Sequence, residues 1–229
     1  MRNILKKINP VTFTDPVLNS GETEFEVNNW IISDFVISKL VPVVGVHPFP
    51  LNELMLMSSA VCRFKPTLIF EWGTNIGKSA RVFYETIKAF KINCEIHTID
   101  LPDHVFHNEH PHQSRGQLVR GLRNITLHQA DGVTRSFEVF EKQKEKGNVL
   151  FFIDGDHSYE TVKRELSSIL ERIPSAIILL HDTFYQSAGS GYNIGPFKAI
   201  EDVLEGKRAA YKVIATNTGL PGMTLVFKK

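Results

Sequence analysis

Residues 68–79 read LIFEWGTNIGKS, and the fold turns on this stretch. Leu68, Ile69 and Phe70 make a short apolar run that ends at Glu71 and Gly73. Gly73 and Gly77 allow a tight backbone turn and a close approach to a ligand. Ala80, Phe83, Ile87 and Phe90 then recur at helical spacing on one face. The reading is strand, glycine turn, helix, with the free N–H groups of a helix start facing the turn.

The same alternation continues outward from it. EIHTID (95–100) and NITLHQAD (124–131) read as the second and third strands, with a short helix carrying Phe137 and Phe140 behind Thr134 as N-cap. VLFFID (149–154) lacks polar alternation, as a strand buried on both faces does. Val162, Leu166, Ile169, Leu170 and Ile173 mark a helix stopped by Pro174. AIILLHD (176–182) is the fifth strand. Gly195-Pro196 opens a helix carrying Ala199, Ile200, Val203 and Leu204 inward. YKVIAT (211–216) and MTLVFK (223–228), joined by NTGLPG, pair as an antiparallel hairpin. The expectation is an α/β fold: a mostly parallel sheet with a C-terminal antiparallel hairpin and helices on both faces. FPLNELMLMSSAVCRF (49–64) reads as a helix leading into the first strand. Residues 1–48 do not fit the alternation, so the division is an N-terminal extension over 1–48, packing on the domain or on a second subunit, and one domain over 49–229.

Composition narrows the function. The chain has 229 residues, and 26 Lys+Arg against 25 Asp+Glu leave a net charge of +1, with no basic field for nucleic acid. Two cysteines, Cys62 and Cys94, make no disulfide framework, which places the chain in a reducing cytoplasm. The most apolar runs, 149–153 and 176–180, are far too short to cross a membrane, and MRNILKKINPVTFTD has no signal-peptide core.

Ligands of open parallel sheets bind at the carboxyl ends of the strands. Those ends read Glu71, Asp100, Asp131, Asp154 and Asp182. Five acids at one edge repel each other unless a cation or a hydroxyl-rich ligand joins them. Gly73–Ser79 resembles a phosphate-binding P-loop, but three residues rather than four separate its glycines, and Glu71 has the wrong sign for a polyphosphate. G-x-G-x-x-G is absent. A cationic cofactor with a ribose fits better: Asp100 accepts from ribose hydroxyls, Asp131 from an adenine amino group, and Glu71 or Asp154 faces an ammonium or sulfonium. That describes S-adenosylmethionine.

The order of elements, the E-x-G-x-x-x-G-x-S turn, IDGDHSYE (153–160) and LLHDT (179–183) resemble the class I S-adenosylmethionine-dependent methyltransferases. Within them the resemblance is to the branch of macrocin-type O-methyltransferases and cephalosporin hydroxylase-like proteins, and it runs from about Asn52 to the C-terminus. It implies a Rossmann-like seven-stranded sheet. It implies Glu71, Gly73, Thr74, Asn75, Gly77 and Ser79 around the methionine part of the cofactor, Asp100 at the ribose, and Asp131 with Gly132 near the adenine. It also implies a divalent metal, magnesium or a transition metal, on Asp154, His181 and Asp182. The chain departs from relatives that carry two acids after the fifth strand, and one His with two carboxylates suits a transition metal.

Methyl transfer to a hydroxyl needs an aligned acceptor and a base or metal to take its proton. His157 is the candidate base, with Asp154 and Asp182 beside it. His104, His107, His110 and His112 crowd the loop after the second strand, as a solvated loop, a lid or a metal site. The expected activity is O-methylation of a small hydroxylated acceptor of sugar or natural-product type, by a chain that binds neither nucleic acid nor membrane and forms a homo-oligomer. The alternatives are a P-loop-like nucleoside triphosphatase and a non-catalytic cofactor-binding subunit.

Overall fold

A computed structural model describes residues 13–17, 19, 21, 24–105, 114–186, 189, 191–216 and 218–229. Seven strands form one sheet: β1 Leu68–Trp72, β2 Glu95–Asp100, β3 Ile125–Gln129, β4 Val149–Ile153, β5 Ile177–His181, β6 Tyr211–Ala215 and β7 Met223–Lys228. Their order across the sheet is β3-β2-β1-β4-β5-β7-β6. β1 pairs in parallel with both β2 and β4, so the chain turns left from β1 to one edge and later right to the other. β7 inserts between β5 and β6 and runs antiparallel to both. The expected seven-stranded sheet with its terminal hairpin is therefore present.

The central strands are apolar without alternation because helices cover both faces. Leu150 and Phe152 of β4 point into one buried cluster, and Phe151 and Ile153 into the other. The first cluster holds α3 (Leu51–Phe64) and α4 (Lys78–Ala89); the second holds α6 (Tyr159–Arg172) and α7 (Gly195–Leu204). A fully buried Phe or Leu contributes about 1.5–3 kcal/mol, and Phe70, Phe83, Phe151, Phe152 and Met57 are all under 2 % exposed.

Before the sheet, α1 (Asn29–Phe35) runs through a π-helical turn (Val36–Leu40) into α2 (Val41–Val44). Ile32, Phe35, Val36, Leu40 and Val44 lie in the first buried cluster, beside α3. Asn28 caps α1, its Oδ1 accepting from the N–H groups of Trp30 and Ile31.

Two local readings change. β1 extends through Trp72, past the expected end. Helix α5 (Gly132–Lys142) is capped by Asp131, three residues before the expected cap: Asp131 Oδ1 accepts from the Thr134 N–H at 2.9 Å and from the Thr134 hydroxyl at 2.9 Å. A carboxylate at this position serves the orphan N–H groups better than the β-branched Thr134 inside the first turn. No helix among the described residues is long and apolar enough to cross a membrane.

Candidate active site

Two cavities open at the carboxyl edge of the sheet and meet at Gly73. The first, of about 250 Å³, is walled by Trp72, Ile99 and Ala130 and carries Asp100, Asp131, Arg164 and Glu165. The second, of about 320 Å³, runs from the β1 turn to the ends of β4 and β5, and carries Thr74, Asn75, Ser79, Asp154, His157, His181 and Asp182. Gly73 permits the junction. Its φ is +99°, and a Cβ there would stand 2.2 Å from the Asp154 carbonyl oxygen. Gly132 does the same for the first cavity, where a Cβ would meet the Trp72 ring at 2.7 Å.

Four side chains converge in the second cavity. His181 Nδ1 lies 2.9 Å from Asp154 Oδ1 and 3.7 Å from Asp182 Oδ2. His157 Nε2 lies 3.3 Å from the same Asp154 oxygen and 3.1 Å from Asp182 Oδ2. One ligand atom from each of the four falls within 4.8 Å of the others. The positions come from three elements: Asp154 and His157 from the loop after β4, His181 from the last residue of β5, and Asp182 from the turn beyond it, where its φ is +56°. Tyr192 donates its hydroxyl to Asp182 Oδ1.

A family model of a methyltransferase domain matches residues 70–183, the span from β1 through β5 that supplies the first cavity and all of the second except His47, Pro48 and Phe49. The chain belongs to the class I S-adenosylmethionine-dependent methyltransferases. Solved structures share the fold of this methyltransferase at low sequence identity. An O-methyltransferase from Bacillus cereus in complex with SAH is 13% identical, with a TM-score of 0.58 over 86% of this chain and 90% of the other. An SAH-bound methyltransferase from Podospora anserina is 15% identical, with a TM-score of 0.55 over 88% and 87%. A TDP-rhamnose 3'-O-methyltransferase of calicheamicin biosynthesis is 12% identical, with a TM-score of 0.55 over 87% and 92%. No curated protein sequence matches the chain.

The methyltransferase divides its expected site residues among three places. Asp100, Asp131 and Gly132 line the first cavity, and Gly73 lies at the junction. Thr74, Asn75, Ser79, Asp154, His157, His181 and Asp182 line the second. Gly77 is the N-cap of α4 at φ +86° and lines neither cavity. Glu71 lines neither cavity. It is fully buried, and neither oxygen meets hydrogen-bond geometry with a partner among the described residues. Burial pushes its pKa up to about 8, against the lowering influence of the Ser79 and Thr98 hydroxyls.

The strand-end acids are more compensated than their spacing suggests. Asp100 Oδ2 accepts from Arg115 Nε at 3.1 Å, and its Oδ1 from the Leu101 N–H at 2.9 Å. Asp131 Oδ2 accepts from Arg164 at 3.1 Å. Burial would raise the Asp154 pKa, but His181 and His157 outweigh it and hold the carboxyl well below its ordinary range. Burial likewise works against the charged form of His181, and Asp154 and Glu53 outweigh it, so the imidazole is held well above its ordinary value. His157 is raised for the same reason, burial opposing and Asp154 prevailing. His157 does not cap α6: Ser158 does, its hydroxyl facing the Thr161 N–H.

Sequence reasoning missed Glu53, Arg115, Glu165 and the Phe49 ring. Glu53 of α3 is 1 % exposed and meets His181 Nε2 at 3.1 Å. Its only signal is a lone carboxylate inside the apolar run LNELMLM (51–57). Phe49 packs its ring edge-on to His181 at 4.8 Å. Of the four loop histidines, His107, His110 and His112 lie outside the described residues, and His104 lines neither cavity.

The donor set fits a divalent cation. Ligand atoms around one ion at about 2.1 Å lie roughly 3.0–3.4 Å apart, and His181 Nδ1 lies 2.9 Å from Asp154 Oδ1 and 3.7 Å from Asp182 Oδ2. One imidazole, that of His181, with the Asp154 and Asp182 carboxylates suits a first-row transition metal better than magnesium, which prefers oxygen.

Proposed function

We propose that this methyltransferase methylates a hydroxyl oxygen of a small acceptor of sugar or natural-product type, with a divalent cation held by Asp154, His181 and Asp182. The observation that carries this reading is the junction of the two cavities at Gly73. One is built for a nucleoside and the other for an acid–base or metal centre, so a ligand in the first reaches the cluster in the second.

Bound here, S-adenosylmethionine supplies an activated methyl group, and a divalent cation lowers the pKa of a hydroxyl beside it. Asp100 accepts from the ribose hydroxyls, and Trp72 and Ile99 flank the base next to Asp131 and Gly132. Thr74, Asn75 and Ser79 surround the amino-acid part, with Gly73 and Gly77 shaping the turn. His157 takes the acceptor proton, and Asp154 and Asp182 hold its ring in place at 3.3 and 3.1 Å. In-line transfer requires the acceptor oxygen opposite the sulfur, and a further cavity between His157, Asp182 and the loop bearing Tyr192 and Asn193 offers the acceptor room.

The nucleoside triphosphatase alternative draws no support from the turn, where Lys78 donates to the His47 carbonyl. In the same reading the methyltransferase domain spans 49–229, and residues 1–48 form an extension suited to a homo-oligomer contact, for which the exposed Trp30 and Ile37 offer apolar surface. Cys62 and Cys94, both free and buried, fit a reducing cytoplasm.

The test is methyl transfer from labelled S-adenosylmethionine to a panel of hydroxylated acceptors, with and without chelator and with magnesium, manganese or cobalt restored. Methyl ether formation that chelator abolishes and metal restores is expected. Cofactor binding with no transfer to any hydroxyl, or transfer to nitrogen instead, overturns it.

A further inference from the structure

We infer that Glu53 is a positioning residue: it dictates which nitrogen of His181 faces the Asp154–Asp182 cluster and so makes Nδ1 the metal ligand. The inference rests on the cation reading above.

Glu53 reaches His181 from α3, a helix 128 residues away in the chain. Its two oxygens do different things. Oε1 accepts the Gly222 N–H at 2.8 Å, tying α3 to the turn before β7. Oε2 lies 3.1 Å from His181 Nε2. The first contact needs only a carbonyl oxygen, and a neutral amide would provide it. The second explains why a carboxylate stands here, at a buried position where an unpaired charge is costly.

An ionised carboxylate only accepts hydrogen bonds. Facing Glu53, Nε2 must carry a proton, which leaves Nδ1 as the nitrogen able to bind a cation in place of its own proton. Nδ1 is the atom that points at Asp154 Oδ1 and Asp182 Oδ2. A metal-binding histidine commonly donates its other ring N–H to a carboxylate, which fixes its tautomer and orientation. Phe49, edge-on at 4.8 Å, and Phe152, tilted at 6.5 Å, pack against the ring and restrain it.

Glu53→Gln turns this arrangement into a trap. The Gly222 N–H requires an acceptor, so the amide oxygen of the new side chain takes the Oε1 position. Its NH2 then faces His181 Nε2 and donates to it. Nε2 becomes the acceptor and gives up its proton, Nδ1 keeps its own facing Asp154, and Nδ1 no longer binds a cation without turning the amide and stranding Gly222.

Cobalt(II) binding, read by its visible absorption and by calorimetry, tests the inference in the parent chain and in Glu53→Gln. The expected result is a 10–100-fold loss of cobalt affinity in the variant, with S-adenosylhomocysteine affinity within threefold of the parent. In the metal-free proteins, nitrogen-15 spectra of His181 should show a protonated Nε2 in the parent and an unprotonated Nε2 in the variant. This second readout holds whatever the variant costs in thermal stability, and a packing role alone would not move it. Unchanged cobalt affinity, or an Nε2 that keeps its proton in Glu53→Gln, overturns the inference and leaves the cation reading standing. A parent chain that binds neither cobalt nor manganese overturns the cation reading and the role of Glu53 with it.

Discussion

Gly73 and Asp154 meet backbone to backbone. A Cβ on Gly73 would stand 2.2 Å from the Asp154 carbonyl oxygen and 2.8 Å from its carbonyl carbon. The two residues end adjacent strands, and the Asp154 N–H bonds the Trp72 carbonyl at 3.0 Å. Neither backbone can yield without breaking the β1–β4 ladder at the point where both cavities meet.

Gly73→Ala is therefore expected to lower stability by on the order of 3 kcal/mol, from the clash and the strained φ together. Urea unfolding measures the first effect. Calorimetry with S-adenosylhomocysteine measures the second, a loss of binding of at least tenfold. A variant as stable as the parent would mean the strands part more easily than their pairing implies.

Asp100 is predicted to act through the cofactor alone. Asp100→Asn keeps its shape but weakens both the Arg115 ion pair and the acceptor for ribose hydroxyls. S-adenosylhomocysteine affinity should fall about tenfold, the scale of one charge-assisted hydrogen bond. With saturating cofactor, turnover should stay within threefold. Undiminished affinity would remove Asp100 from the ribose.

His157→Gln and Asp182→Asn should show the opposite split. Loss of a general base costs about 10²–10⁴ in rate, so turnover should drop at least a hundredfold in His157→Gln while S-adenosylhomocysteine binding changes less than threefold. Asp182→Asn should lose turnover and cation binding together. Parent-like turnover in either variant would exclude that side chain from the chemistry.

Glu71 and Glu165 give the fold a pH dependence. Burial raises each carboxyl from its ordinary 4.5 to about 8. Below about pH 4.5 both states carry these protons and no penalty arises. Between there and about pH 8 the folded chain binds more protons than the unfolded one, so the contribution of these groups to stability falls as pH rises. Glu71→Gln should flatten part of that fall and stabilise the chain at pH 8 more than at pH 5, in denaturant melts at both values. An identical pH slope in the variant would show that Glu71 is ionised in the folded protein.

Much of the fold is legible from local pattern. VLFFI at 149–153 shows no alternation because β4 is covered on both faces, and the 3.6-residue recurrence from Val162 to Leu170 marks the buried side of α6. The strand-end positions of Asp100, Asp154 and Asp182 follow from the same periodicity, since a parallel sheet places its strand ends along one edge. The α5 cap is not legible in the sequence, because Asp131 and Thr134 both suit the role and only backbone geometry separates them.

The sequence by itself determined the α/β alternation, the glycine turn at 73–77 and the row of acids, because each depends on neighbours in the chain. Tertiary structure alone decided what those acids face. Asp100 meets Arg115, Asp131 meets Arg164, and Asp154 meets two imidazoles, so the edge is less acidic than its spelling. Glu53 joins His181 across 128 residues. Such pairings leave no periodic trace, since a buried charge is compensated by whatever the packed helices and strands bring within about 3 Å of it.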